Sequence, residues 1–425
     1  MKFLTVTQGC KVNHCDSEAI SQCMISEGFE AAAAEDVPDV IIVNSCTVTE
    51  NSDKKGARII SKLRRDYPRA VIVLTGCYPQ AFPEEAEKNG NADIVVGNAA
   101  KEDIPRLVKE FLRSGKAENV CRSHIKVFAE PDGFSHTENT RAYIKIEDGC
   151  DRFCSYCIIP KARGRVRSKE LDRIVAEAKF HAEDGHREIV LTGINLSCYG
   201  TDIGLSLYDA VKAAADVPLI ERVRLSSLEP ELFTDELTEK MAGVDKLCPH
   251  FHLSLQSGCS ATLKRMNRHY SAEEYMEIVE RLRKAFPRCG ITTDVMVGFA
   301  GETEEEFRQS CEFVRSIGFA KVHVFTYSVR AGTKAAEMGD QVPVDVKEQR
   351  YKIMSEIAER ARSEFWDSNV GTVHRVLIER QTSHEFINGY TENYIPVRIY
   401  GGKAKRHDIV EVKITGAEKE FCVGS

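Results

Sequence analysis

The sequence predicts an α/β protein in three parts: an N-terminal parallel α/β sheet, a central partial barrel of six β/α units, and a small closed β-barrel at the C-terminus. Strand-like and helix-like stretches alternate up to about residue 366, and such alternation predicts parallel sheets with helical crossovers. Short strand-like stretches separated by glycines follow, which is typical of a small barrel. In addition, cysteines recur just beyond the carboxyl ends of several predicted strands.

The composition is that of a folded protein with two or three domains. The chain has 425 residues, of which 42% are hydrophobic and 29% are charged. We find neither an apolar run of membrane-spanning length nor a secretory start, so we expect a cytoplasmic protein that does not contact a membrane. Fifteen cysteines then favour a metal role over disulfides. With a net charge of −7, any contact with nucleic acid needs a local basic patch.

The first domain, predicted over residues 1–120, places three cysteines at one edge of a sheet. We predict strands at 2–7, 40–44, 70–75 and 93–96, and a closing helix at 101–114. Cys10, Cys46 and Cys77 each follow a strand within three residues. Because the carboxyl ends of parallel strands share one edge, these thiols are expected to converge. The alternative is ordinary buried cysteines, which we expect for a further set: Cys15, Cys23, Cys121, Cys198, Cys248, Cys289, Cys311 and Cys422.

The central domain, predicted over residues 136–366, follows a turn-rich boundary at Pro131-Asp132-Gly133 and 135–140. Six strands are predicted, at 142–146, 188–192, 222–226, 251–255, 292–297 and 322–327. Helices are predicted between them, among them 169–184, 272–285 and 304–317. This is the pattern of a partial (β/α)6 barrel, in which functional groups lie at the carboxyl ends of the strands.

The loop after the first of these strands holds Cys150, Cys154 and Cys157, spaced as Cys-x3-Cys-x2-Cys. Iron–sulfur clusters normally take four cysteine ligands, so three thiolates leave one iron of a four-iron cluster open. A structural zinc site, which normally has four protein ligands, and unrelated buried thiols are the alternatives.

This loop resembles the signature of the radical S-adenosylmethionine (SAM) enzymes, with Tyr156 at the position of the usual aromatic residue. The resemblance implies a [4Fe-4S] cluster whose open iron binds SAM and cleaves it to a 5′-deoxyadenosyl radical. The stretches 7–13, 43–49 and 75–78 look like the cysteine motifs of the methylthiotransferases, which implies a second [4Fe-4S] cluster at the N-terminal triad. Within that family, Gly-Cys-Lys-Val-Asn at 9–13 resembles the branch acting on N6-threonylcarbamoyladenosine in tRNA.

The later strand ends supply candidate contacts to SAM. A glycine lets the ligand approach the backbone closely, and hydroxyl, carboxylate and amide groups suit its ribose and amino-acid portions. Turn chemistry or helix capping is the alternative at each position. Together with Tyr156, the candidates are Gly193, Asn195, Ser226, Glu229, Gln256 and Val297.

Basic residues alternate directly after the cysteine loop: Lys161, Arg163, Arg165, Arg167 and Lys169. In an extended chain they would share one face. That face, with Arg163 and Arg165 as candidate catalytic-site residues, would grip RNA phosphates or the SAM carboxylate. A solvated charge run is the alternative.

The third domain, predicted over residues 367–425, has strands predicted at 370–379, 394–400, 409–415 and 421–423. It resembles the TRAM module, an OB-like RNA-binding barrel, most clearly at 388–394. Lys403, Lys405 and Arg406 are candidate phosphate contacts, and Tyr390 and Tyr394 are candidates for stacking on bases. A purely structural module is the alternative.

The family resemblance implies a tRNA methylthiotransferase that inserts a methylthio group at carbon 2 of N6-threonylcarbamoyladenosine at position 37, next to the anticodon. It implies two [4Fe-4S] clusters, SAM, and an electron donor such as flavodoxin or ferredoxin. Two other functions stay open. One is a methylthiotransferase for another tRNA adenosine or for a ribosomal protein, and the other is a non-catalytic iron–sulfur regulator that binds RNA.

Overall fold

The computed structural model of the chain describes residues 1–88, 90–116, 119–123, 126–129, 133–379, 381, 383 and 385–425. Within these ranges no helix combines the length and the apolar character that a membrane crossing needs. The predicted boundary at Pro131-Asp132 lies outside the described residues. The domain limits at 120, 136 and 366 stay predictions.

A five-stranded parallel sheet in the order β2-β1-β3-β4-β5 forms the N-terminal part. Its strands are β1 (Lys2–Thr7), β2 (Glu30–Ala31), β3 (Val40–Ser45), β4 (Val71–Gly76) and β5 (Ile94–Gly97). Its helices are α1 (Lys11–Ser26), α2 (Glu50–Asp66), α3 (Cys77–Ala81), α4 (Pro83–Glu87) and α5 (Ile104–Ser114). Strands β3 and β4 are buried throughout, because helices cover both faces of the sheet. The four predicted strands are confirmed, and only the two-residue β2 was not predicted.

The central part is a parallel partial barrel whose strands pair as β6-β9-β10 and β11-β12-β13-β14. A short antiparallel pair, β7 and β8, extends from its mouth. The strands are β6 (Ala142–Lys145), β7 (Glu147–Asp148), β8 (Arg167–Ser168), β9 (Glu188–Thr192), β10 (Arg222–Leu225), β11 (Ser227–Leu228), β12 (His250–Leu253), β13 (Gly290–Val297) and β14 (Lys321–Thr326). Only Ser226 separates β10 from β11, so the chain passes directly from one set to the other. The six predicted strands are confirmed.

Helices cover the outside of the partial barrel. They are α6 (Ile159–Arg163), α7 (Leu171–Glu183), α8 (Leu207–Ala215), α9 (Asp235–Ala242), α10 (Ser260–Arg265), α11 (Ala272–Ala285), α12 (Glu304–Ile317) and α13 (Val344–Asp367). Helices α11 and α12 match their predicted bounds because a capping box starts each one, at Ser271 with Glu274 and at Thr303 with Glu306. Apolar residues between the strands and these helices form the largest core of the protein.

The C-terminal part is a closed five-stranded barrel in the order β15-β16-β17-β19-β18. Its strands are β15 (Val373–Ile378), β16 (Phe386–Thr391), β17 (Pro396–Tyr400), β18 (Ile409–Ala417) and β19 (Cys422–Gly424). Strand β16 was missed, because Gly389 was interpreted as a turn. A Cβ atom on Gly389 would lie 2.5 Å from the carbonyl oxygen of Leu377, so the glycine instead permits close pairing with β15.

Candidate active site and its two cysteine triads

The N-terminal triad lies where three strands of the first sheet end. Asn13 Oδ1 is 3.9 Å from Cys10 Sγ and 3.8 Å from Cys77 Sγ. Gly9 has φ +122°, and a Cβ atom there would lie 2.9 Å from the Cβ of Cys46. Only glycine lets the Cys10 loop pass so close to the Cys46 loop. The structure therefore brings the three predicted thiols together around Asn13.

The central triad lies in the single loop between β7 and α6. Cys157 N–H donates to the carbonyl of Cys154 at 3.0 Å. Arg268 Nη1 donates to Cys154 Sγ at 3.3 Å, and Asn195 Nδ2 donates to Cys150 Sγ at 3.6 Å. Two of the three sulfurs therefore accept hydrogen bonds, one from Asn195 after β9 and one from Arg268 in the loop between α10 and α11.

Burial makes these thiols weak acids. It raises the pKa of Cys77 to about 12, that of Cys150 to about 11 and that of Cys157 to about 12. The nearby thiols of Cys46 and Cys10 raise the pKa of Cys77 further, while the positive charge of Arg163 opposes them. Thiolates at such positions need a metal centre to stabilise them.

The donor set of each triad fits an iron–sulfur cluster. All fifteen cysteines are free thiols. Within the described ranges, no three His, Cys, Asp or Glu side chains are grouped as a metal-ion site. A four-iron cluster holds its cysteines farther apart than a single ion does, and it accepts N–H donors at its sulfurs. Three thiols with N–H donors at hand fit such a cluster better than a four-ligand zinc site.

One cavity of about 1130 Å³ begins at Cys10 of the N-terminal triad and reaches the strand end at Gly193, close to Asn195, which bonds Cys150 of the central triad. Cys10 lines it from the N-terminal sheet, and Gly193 and Ser226 line it from the strand ends of the central barrel. Its far end reaches the C-terminal barrel at Tyr390 and Tyr394. The cavity is therefore enclosed by all three parts of the chain.

Several predicted cofactor contacts carry buried polar atoms without a partner. Among the described residues, Asn195 Oδ1, Ser226 Oγ and Gln256 Oε1 have no hydrogen-bond partner. Gln256 is held at φ +68°, a conformation that costs free energy in a non-glycine residue. Unpaired polar atoms of this kind are rare in folded proteins. Ser226 lines the shared cavity, where its unpaired hydroxyl fits a polar ligand such as SAM.

Three other predicted contacts already have protein partners. Glu229 forms an ion pair with Arg268. Val297 is buried in the core at the end of β13, and Tyr156 packs edge-on against Phe299 with ring centres 6.3 Å apart. Their roles in cofactor binding stay predictions.

The prediction that the basic run forms one extended face is wrong. Pro160 begins a short helix, α6, and Gly164 with φ +76° ends it, so the alternation is broken. Lys161 packs over the Phe82 ring, whereas Arg165 is 72% exposed and pairs with Asp151 at 3.0 Å. Lys161 and Arg165 are the exposed members of the run, whereas Arg163, Arg167 and Lys169 are buried.

Arg163 is buried, at 1% exposure, and its guanidinium bridges two domains. It contacts Asp16 Oδ2 at 2.9 Å, Asp148 Oδ1 at 3.0 Å and Asn13 Oδ1 at 2.5 Å. A buried guanidinium whose two terminal nitrogens already bind two carboxylates and Asn13 is not available to a phosphate. The prediction that Arg163 grips substrate is therefore corrected, and it instead holds Asn13 against the N-terminal thiols.

Arg163 belongs to a buried ion cluster. Its acids are Asp16 and Asp148, and its bases are Lys101, Lys145 and Arg163. Burial alone would raise the pKa of Asp16. The positive charges of Lys101, Lys145 and Arg163 outweigh burial and hold that pKa well below its usual value. The cluster, which we call the domain clamp, is therefore ionised at neutral pH and fixes α1 against the central barrel.

Tyr390 and Tyr394, the residues predicted to stack on RNA bases, contact protein groups in the structure. The two rings stack on each other, with centres 4.9 Å apart and planes at 26°. Arg141 lies 4.8 Å from the Tyr390 ring centre and Arg224 lies 4.6 Å from that of Tyr394. Both rings face the central barrel at the amino ends of its strands and also line the shared cavity, so base stacking by these residues stays a prediction.

Glu188 organises the contact between the central barrel and the C-terminal barrel. Its buried carboxylate binds Arg141 at 2.9 Å, Arg224 at 2.7 Å and Arg222 at 3.3 Å. Arg222 and Arg224 also donate to backbone carbonyls of the C-terminal barrel, including that of Glu392 at 2.8 Å. Burial opposes ionisation of Glu188, yet the arginines lower its pKa to about 2. We call Glu188 and its three arginines the arginine floor.

The three predicted basic contacts of the C-terminal barrel differ from one another. Lys403 and Lys405 are exposed. Arg406 donates to the carbonyl of Glu138 and to Thr140 Oγ1, so it anchors the barrel to the central domain. The RNA-binding role of Lys403 and Lys405 stays a prediction.

Sequence reasoning missed Asn13, Glu147 and Arg268. Asn13 lies within the first cysteine motif, and that position is the only feature of the nearby sequence that indicates a role for it beside the thiols. Glu147 is fully buried and accepts the Asn195 N–H at 2.7 Å, with its pKa raised well above its usual value mainly by burial. Arg268 lies far from Cys154 in sequence, and nothing in its neighbourhood indicates the contact.

A partial parallel barrel with three cysteines at its mouth defines a radical SAM protein. The family model described as the Radical SAM superfamily matches residues 144–314. Models described as Uncharacterized protein family UPF0004 and as the TRAM domain match residues 2–97 and 367–425. The three models follow the three parts of the fold.

Curated relatives resemble the chain over nearly its whole length. "Threonylcarbamoyladenosine tRNA methylthiotransferase MtaB" of Aquifex aeolicus is 37% identical over 95% of this chain and 98% of its own. The protein of the same name from Bacillus subtilis is 37% identical over 98% and 94%. A "tRNA-2-methylthio-N(6)-dimethylallyladenosine synthase" of Clostridium botulinum is 33% identical over 100% and 96%. The chain belongs to the radical SAM methylthiotransferase family.

Solved structures support the fold alone. The radical S-adenosylmethionine methyltransferase TsrM of Kitasatospora setae matches with a TM-score of 0.57 at 15% identity, over 76% of this chain and 72% of its own. Membership of the radical SAM superfamily implies a [4Fe-4S] cluster and SAM as cofactors.

Proposed function

We propose that the protein is a tRNA methylthiotransferase that inserts a methylthio group at carbon 2 of N6-threonylcarbamoyladenosine at position 37. The observation that carries the proposal is that Cys10, Gly193 and Ser226 line one cavity. An adenosine held there would lie next to both cysteine sites at once. The names of the relatives from Aquifex aeolicus and Bacillus subtilis support this nucleoside.

The proposal includes two [4Fe-4S] clusters, one for each triad. Cys150, Cys154 and Cys157 would hold the cluster that binds SAM, and the N-terminal triad would hold the other. When bound, SAM and its cluster supply the radical chemistry that an unactivated aromatic C–H bond requires. Flavodoxin or ferredoxin as the electron donor and a cytoplasmic location belong to the same proposal.

The chain itself binds and orients. Gly193 packs against Glu147, since a Cβ atom there would lie 2.7 Å from Glu147 Oε2, and its backbone at the cavity wall would lie beside SAM. The unpaired oxygens of Ser226 and Gln256 would take polar atoms of SAM. Arg268 donates to Cys154 Sγ, and the domain clamp fixes the N-terminal thiols at the opposite side of the cavity.

Nucleoside analysis of tRNA from a strain that lacks the gene tests the proposal. We expect the 2-methylthio derivative of N6-threonylcarbamoyladenosine to disappear and to return when the gene is restored. Loss of the dimethylallyl derivative instead would assign the other adenosine. Unchanged tRNA nucleosides, together with reduced protein that does not cleave SAM, would indicate the regulator.

A further inference from the structure

The shared cavity contains a cation that has no ion-pair partner. Lys11 follows Cys10 directly, and its side chain lines the cavity and is accessible from it. Among the residues that the structure describes, no Asp or Glu oxygen lies within 4.0 Å of its ammonium. The Tyr143 ring lies beside it, with its centre 5.6 Å from Lys11 Nζ. A lysine placed in this way is free to form a charge-assisted hydrogen bond to an anionic ligand.

Most other basic side chains near the two triads are already paired. Within the described residues Lys161 and Lys321 also lack an ion pair, but Lys161 does not line the cavity and Lys321 is exposed at the start of β14, on a different element from the cysteines. Arg163, Lys145 and Lys101 share the acids of the domain clamp. Arg268 pairs with Glu229, and Arg330 pairs with Asp53 at 2.5 Å. Lys11 therefore differs from these paired neighbours, since no carboxylate of the described chain forms an ion pair with it.

Neutral donors and acceptors without partners border the same cavity. His250 is only 6% exposed, and its Nδ1 has no hydrogen-bond partner within the described residues. Ser226 Oγ is likewise unpaired there. The cavity lining also includes the acid Asp294, which lies 3.3 Å from His252 Nε2 and is not an ion-pair partner of Lys11. The Lys11 side of the cavity suits a ligand with a negative charge and a hydroxyl group.

We propose that Lys11 binds the threonine carboxylate of N6-threonylcarbamoyladenosine and thereby determines which modified adenosine the enzyme accepts. The inference rests on the proposed function. The N6 substituent of this nucleoside ends in a carboxylate beside a hydroxyl, so it supplies both an anionic partner for Lys11 and a hydrogen-bond partner for His250. A dimethylallyl substituent is purely hydrocarbon and would leave Lys11 unpaired in the cavity, which disfavours it.

Three synthetic anticodon stem-loop RNAs test the inference. They carry at position 37 N6-threonylcarbamoyladenosine, its neutral carboxamide, or N6-dimethylallyladenosine. Binding to the cluster-loaded protein is measured by fluorescence anisotropy without reductant, so that no turnover occurs. We expect wild type to bind the acid at least about tenfold more tightly than the carboxamide, because a hydrogen bond to a charged group is at stake.

Variants at position 11 locate the effect. Lys11→Met should bring the acid and the carboxamide to within about twofold of each other, while Lys11→Arg should retain part of the preference. Lys212→Met, at an exposed lysine of α8 paired with Asp216, is the matched control and should behave as wild type. Iron content shows whether the neighbouring Cys10 site stays intact, and the wild-type comparison of acid with carboxamide needs no variant at all.

Two outcomes would overturn the inference: a wild type that does not distinguish acid from carboxamide, or a Lys11→Met variant that keeps the preference. The second outcome includes the case in which Lys11→Met weakens binding of both RNAs equally, which marks a phosphate contact or a structural role. The proposed function fails in a different way. In that case reduced wild type with full clusters methylthiolates the dimethylallyl RNA and not the threonylcarbamoyl RNA.

Discussion

The two cysteine triads offer the same number of thiols but depend on the fold in different ways. The central triad comes from one loop, over residues 150–157. The N-terminal triad takes one cysteine from each of three strand ends, and two of these regions are pinned by the central domain, through Arg163 on Asp16 and Arg330 on Asp53. Helix α3, which begins at Cys77, packs against α6. The N-terminal site therefore depends on domain docking, whereas the central site depends on its own loop.

Removing each triad separately should give the largest effects. We expect replacement of Cys150, Cys154 and Cys157 by Ala to remove about half of the iron and to abolish 5′-deoxyadenosine formation. Replacement of Cys10, Cys46 and Cys77 should also remove about half of the iron but leave 5′-deoxyadenosine formation, without methylthiolated product. Iron assays and product analysis on anaerobically reconstituted protein check both. Full iron retention in either variant would refute the cluster assignment.

Breaking the domain clamp should affect the N-terminal triad alone. Arg163→Met removes the guanidinium that joins Asn13, Asp16 and Asp148, while Lys145 still contacts both acids, so we expect a loss of about 1.5–3 kcal/mol in the free energy of unfolding. Iron should be lost from the N-terminal site, while 5′-deoxyadenosine formation persists. The matched control is Arg165→Met, which removes an exposed ion pair and should cost less than about 1 kcal/mol. Urea unfolding of the apoprotein is the measurement, and equal losses in both variants would contradict the clamp.

The arginine floor should contribute a pH-dependent part of the free energy of unfolding, and changing it should leave the iron content of both triads unaltered. Because the folded pKa of Glu188 is about 2 against 4.5 for the free side chain, its contribution is complete above about pH 4.5 and is lost as the pH falls toward 2. We expect Glu188→Gln to cost about 3 kcal/mol at pH 7. The difference in urea midpoint from wild type should shrink below pH 4.5. A difference that stays constant with pH would argue against the charge of Glu188 as its source.

The smallest effect should come from Lys403 and Lys405. Replacing both by Gln should reduce the salt dependence of tRNA binding by about 0.7–0.9 log units per log of salt for each RNA phosphate that the lysines no longer neutralise. Both triads should keep their iron and SAM cleavage should not change. Filter binding at several salt concentrations measures the slope. Unchanged slopes would leave the C-terminal barrel a structural role only.

The sequence predicts well what is local. The helices with capping boxes and the buried β-branched strands lie where expected, and the cysteine loop at 150–157 follows from its spacing alone. The convergence of Cys10 and Cys77 could also be predicted, because parallel topology forces their strand ends to one edge.

What could not be predicted depends on contacts between parts distant in sequence. Arginine is usually a surface residue, and Arg163 becomes a buried bridge only because Asp16 of the N-terminal domain docks against it. Two tyrosines this close in sequence are typical of a base-stacking pair. Tyr390 and Tyr394 instead contact the central barrel because the arginine floor lies against their rings. In the basic run, however, Pro160 and Gly164 were visible signals that an extended face would be interrupted.

The arginine floor contacts the C-terminal barrel mainly through backbone carbonyls, with Arg222 reaching that of Tyr390 and Arg224 those of Thr391 and Glu392. Asn393 Nδ2 in turn donates to the backbone carbonyl of Arg288. Apart from Tyr390, Tyr394 and Glu379, whose side chains contact arginines of the floor, side chains of the barrel can change without removing these main-chain hydrogen bonds. The outer surface of this barrel can therefore diverge through evolution, or be redesigned for another RNA, while the barrel keeps its position on the central domain.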